Sequence, residues 1–112
     1  MAASAIKLLT LSVIATADLT QYRAVTAAGA LPAAAGRCAG FADVSGAIGE
    51  RVPYGALGTT IAEAGAALAV GAALELDAAG RVITRTAGAT VGQALQAATA
   101  SGQTIEILLI PN

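Results

Sequence analysis

Leu74-Glu75-Leu76-Asp77-Ala78-Ala79-Gly80-Arg81-Val82-Ile83-Thr84 is two short alternating runs joined by four residues of turn chemistry. Asp77 at the opening and Gly80 at the close suit a type I turn whose glycine takes positive φ as a hairpin bulge. The segment therefore predicts an antiparallel β-hairpin, and the rest of the chain repeats its rhythm. Turn residues recur about every 8–12 positions, the spacing of an all-β domain rather than of a helical bundle. Candidate strands are residues 6–14, 22–27, 38–44, 50–61, 69–76, 82–86, 90–95 and 104–110. In the last of these, Ile105, Ile107 and Leu109 share one face and Thr104 and Glu106 the other. Leu108 and Ile110 then make both faces apolar, as a central or interface strand requires.

Alanine argues for helix, and residues 61–76 and 91–100 could each be drawn as one. Gly65 and Gly71 interrupt the first, each costing about 1 kcal/mol relative to alanine. A short helical turn at residues 96–101 remains open. The expectation is a mainly β domain, a small β-barrel or β-sandwich of short antiparallel strands and hairpins, with at most one short helix. Residues 18–112 read as one β domain, and residues 1–17 as an N-terminal strand or arm. That first segment also imitates a signal peptide: Lys7, a short apolar run, then Ala15-Thr16-Ala17. Thr10 and Ser12 interrupt the run at period two, with Lys7, Leu9, Leu11 and Val13 on one side, which suits a partly buried strand.

Apolar residues make up 56% of the chain, but 31 of its 112 residues are alanine and the only aromatics are Phe41, Tyr22 and Tyr54. The core is therefore thin, and the composition predicts an oligomer in which partner subunits cover more surface. Lys7 and five arginines are spread along the chain against seven acids, so no basic patch offers itself to a phosphate backbone. No run is long and apolar enough for a membrane-spanning helix. With no histidine and only Cys38, the usual metal ligands and nucleophile–base pairs are missing. Neither a phosphate-binding loop nor a dinucleotide turn occurs. Glu75 and Asp77 share strand parity, but both read as carboxylates facing water. The chain is expected to be no enzyme, with no cofactor, no metal, no nucleic acid, no membrane and no small-molecule substrate. The candidates for contact with another subunit or a protein partner are Lys7, Arg23, Tyr54, Arg81 and Arg85. Tyr54 follows Pro53, which implies an edge strand or a bulge where another chain could pair; packing into the core is the other reading. The arginines suit an acidic partner surface or simply a soluble edge.

Four segments together resemble the small capsid cement, or decoration, proteins of tailed bacteriophages: Asp18–Thr26, Gly40–Asp43, Ala64–Leu74 and Val91–Leu109. The last is the most specific, and residues 1–17 fit the pattern least. The resemblance implies a structural virion protein made in the host cytoplasm. It would bind the major capsid protein on the outer surface of the head, as a homotrimer, and stabilise the lattice. Another phage structural accessory, such as a head fibre base or a tail component, and a secreted β binding module beginning at Asp18 are the alternatives. The family has no fixed catalytic residues to carry over.

Overall fold

The computed structural model describes residues 4–112; residues 1–3 of the N-terminal segment lie outside the described residues. Eight strands follow in order: β1 (Lys7–Ile14), β2 (Ala24–Val25), β3 (Gly40–Ala42), β4 (Arg51–Glu63), β5 (Ala73–Leu76), β6 (Val82–Thr84), β7 (Gly92–Ala94) and β8 (Thr104–Leu109). Each falls inside or within two residues of a stretch that the sequence marks as strand. They form one antiparallel sheet curled into a half-barrel, with no helix among the described residues. The order is β2-β3-β4-β8-β7-β5-β6, and β1 pairs with β4 off this path.

β4 is the spine. β1 and β3 pair with its N-terminal part and β8 with residues 59–63. The handover occurs at Gly58, whose φ of +92° and close approach to the Ile6 carbonyl exclude a Cβ. The hairpin of residues 74–84 forms as expected. Asp77 Oδ1 accepts the Ala79 and Arg81 N–H groups at 2.9 Å, and Gly80 takes φ +78°. These local bonds define the turn before any distant contact is made.

The sheet carries apolar side chains on both faces. Phe41 and Ala24 enter a larger cluster with Ala62, Leu74, Leu76, Val82, Val91, Ile105 and Ile107, while their neighbours Ala42 and Val25 turn the other way. There they meet Ala15, Leu19, Val52 and Tyr54. This alternation follows from the strand period of two. Seven of the twenty buried apolar residues are alanine, so the core is as thin as the composition suggests.

Three local expectations are corrected. The strand at 22–27 shrinks to Ala24–Val25 because Tyr22 takes φ +67° in a turn closed by Arg23 N–H to Thr20 O, and Thr26 opens a second turn to Ala30. Residues 96–101 form no helix; Ala98 instead bridges to Leu68 in both directions. Pro53 does not mark a free edge, since its strand is paired on both sides. Asp43 N–H donates to Pro53 O at 2.9 Å, and the return bond that proline cannot donate is supplied by Gln21 Nε2 to Asp43 O at 3.0 Å. A side-chain amide thus completes the ladder.

Candidate functional site

Of the five candidate contact residues, four are occupied within the chain. Lys7 Nζ pairs with Asp43 at 2.9 Å. Arg23 donates Nε and Nη2 to the two oxygens of Glu63, both at 3.2 Å. Arg81 donates Nε to Asp77 Oδ2 at 2.9 Å and reaches Glu63 at 4.0 Å. Tyr54 is buried in the smaller cluster. Arg85 is exposed, with Nε donated to Gly88 O at 2.8 Å.

The Arg23–Glu63–Arg81–Asp77 array joins the chain before β2, the end of β4 and the β5–β6 turn. It lies beside the backbone bonds Glu63 N–H to Tyr22 O and Ala24 N–H to Gly80 O. Its work is therefore closure of the half-barrel. The forked Arg23 contact is the strong geometry, but partial exposure screens it. Glu63→Gln should cost about 1 kcal/mol, lowering Tm by roughly 4–8 °C. The loss should shrink at 1 M salt, where exposed charges are screened within about 3 Å; thermal melts at two salt concentrations check it.

Glu75, read from sequence as facing water, is buried. One of its oxygens accepts the N–H groups of Thr86, Ala87 and Gly88 and the Thr86 hydroxyl. The backbone donors of Thr86 and Gly88, foremost among these bonds, hold its carboxyl below the usual carboxylate range. Burial pushes the Cys38 thiol up to about 11, against weaker opposing bonds from Asn112 and Gly40. Cys38 is thus a protonated packing residue beside the larger cluster.

Nothing in these groups makes a nucleophile–base pair. Among the described residues no cluster of three histidine, cysteine, aspartate or glutamate residues could hold a metal ion, and no helix is long and apolar enough to cross a membrane. An open cleft of about 700 Å³ lies between Val70, Leu95 and the segment from Gly102 to Ile105, lined by no ionisable side chain.

What the surface offers instead is β1. Sequence alternation suits partial burial, yet seven of its eight residues are exposed. Leu8 is 78% exposed, and Ile6 just before the strand 66%. Leu9, Leu11 and Ile14 are also exposed, as is Ile48 beside the strand's end, where Gly49 N–H donates to Ala15 O. A bulge between Lys7 and Thr10 breaks the parity, so apolar side chains leave both faces of the strand. β1 is nonetheless held firmly: its ladder to β4 runs from Lys7 to Ile14, and Ile6 and Thr59 exchange two further bonds. An ordered strand that exposes this much leucine and isoleucine is a candidate contact surface. Sequence reasoning missed its extent because the period of a strand does not tell whether a second layer covers it.

A family model described as phage cement protein matches residues 4–109. Among solved structures, the head fibre gp8.5 N base of bacteriophage phi29 is similar in fold. It shares 18% identity over 91% of this chain and 93% of that one, with a TM-score of 0.77. No curated protein matches the chain. With nearly its whole length covered by the family model, the chain belongs to the phage cement protein family and is a structural protein of the phage head.

Proposed function

We propose that this protein decorates the outer surface of the assembled head, where it binds the major capsid protein as a homotrimer and stabilises the lattice, without catalytic turnover. The observation that carries the reading is the apolar β1 strip, ordered by β4 yet uncovered in the single chain. Stable protein interfaces bury on the order of 1,000 Å² or more. A rigid apolar strand gains that burial without first paying for its own ordering.

The mechanism is differential affinity. A protein that binds the finished lattice better than separate capsid subunits shifts the equilibrium toward the intact shell. Three linked copies raise the apparent affinity through effective concentration even when each contact is weak. Addition to the head after synthesis in the host cytoplasm fits a chain that folds before it docks.

The fold shared with a head fibre base favours a second reading, in which the protein anchors a fibre at a few positions. Quantitative mass spectrometry of purified virions separates the two. The decoration reading expects a copy number near that of the major capsid protein, and heads lacking the protein should lose resistance to heat or chelators. A few copies per virion would establish the fibre-base reading instead. Absence from virions, or a secreted chain beginning at Asp18, would overturn both.

A further inference from the structure

Among the described residues Glu75 is the only charged side chain that is buried, and the contact surface makes no use of it. Its Oε1 sits 2.5 Å from Thr86 N, 3.2 Å from Thr86 Oγ1, 3.2 Å from Ala87 N and 3.3 Å from Gly88 N. One carboxylate oxygen thus gathers the donors of three consecutive residues in the β6–β7 connection. That connection in turn packs on the β2–β3 connection. Ala89 N–H donates to Ala35 O, and a Cβ on Gly88 would collide with Ala35. The segment is pinned at its ends by Arg85 N–H to Ala73 O and Val91 N–H to Leu74 O. Between those pins the recorded bonds are those to Glu75, the Ala89 bond and the local Arg85 contact to Gly88 O.

We propose that Glu75 is an acid-releasable latch: protonating it opens residues 86–89 locally, and frees the β6–β7 connection from the β2–β3 connection, while the sheet stays folded. A neutral carboxylic acid carries its own O–H donor and is a much weaker acceptor, so it cannot hold four converging donors. The β2–β3 connection carries two titratable side chains, Arg37 and Cys38, and among the described residues no ion pair reaches Glu75. β6 (Val82–Thr84) and β7 (Gly92–Ala94), the strands paired with β5, contribute no ionisable side chain. On the connection itself Arg85 points to Gly88 O, and Asp77 beyond β5 is held by Arg81.

The carboxyl is held below its ordinary value of 4.5 in the folded state. Its contribution is therefore complete above that value and is lost as pH falls through the lower, folded one.

The test is amide exchange and a pH titration of the intact, isotopically labelled protein by NMR between pH 6 and pH 2.5. The amide shifts of Thr86, Ala87 and Gly88 should titrate together with a midpoint below 4.5. Protection of Thr86–Ala89, corrected for intrinsic exchange, should be lost across the same step. Arg85, Val91 and Ile107 should keep theirs, and in Glu75→Gln the step should vanish. Unchanged protection at residues 86–89, a loss in step with Ile107, or a step persisting in Glu75→Gln would each overturn the latch.

Discussion

Replacing Leu8 and Leu11 together by threonine should weaken attachment to heads by roughly a hundredfold while leaving the fold intact. Full burial of a leucine contributes about 1.5–3 kcal/mol. Leu8 and Leu11 are 78% and 43% exposed in the single chain, so together they hold a little more than one leucine's worth of unburied surface. At 1.4 kcal/mol per factor of ten, losing it gives the stated change. Threonine keeps strand propensity, and neither leucine belongs to a buried cluster. Tm should accordingly move by no more than a few degrees. Binding of the purified variant to heads stripped of the native protein, with thermal melts alongside, checks both halves. Undiminished binding would remove β1 from the interface.

Phe41→Ala should do the reverse, unfolding the domain without touching that surface. Phe41 is fully buried and is the larger cluster's one aromatic residue. It sits on β3, paired with Ala24 and with Gly55. Large-to-small changes of this type cost about 3–5 kcal/mol, against a total of about 5–15 kcal/mol for a whole domain. The neighbouring alanines have no side-chain length with which to fill the space. We expect Tm to fall by roughly 15 °C or more, read by circular dichroism, and attachment to heads to be lost only through unfolding. A drop of a few degrees would mean that the sheet collapses onto the gap.

The two predictions separate because they act at different levels of the structure. Phe41 holds the two arms of the curled sheet together, whereas Leu8 and Leu11 ride on a strand whose own contribution to the core is small. The Glu63 array lies between these extremes, tying loops across the closure, and its effect should be correspondingly modest.

Strand positions, the Asp77–Gly80 turn and the buried face of Ile105, Ile107 and Leu109 were legible in the sequence by itself. Each rests on signals that act within a few residues: a period of two, an aspartate bonding N–H groups two and four positions on, a glycine free to take positive φ. That the chain has no histidine and a single cysteine was legible too, because it is a matter of composition. Only the tertiary structure decided that Pro53 lies in a paired strand, that Glu75 is buried under the β6–β7 connection, that Arg23 is spent on Glu63, and that β1 is left bare. Each of those depends on a partner far along the chain: Gln21 for the proline's ladder, Thr86–Gly88 for the glutamate, Glu63 for Arg23. For β1 it depends on whether another layer crosses the strand, and none of the described residues does. Local chemistry marks where a strand will form, but which surfaces meet depends on non-local packing, which no single segment encodes.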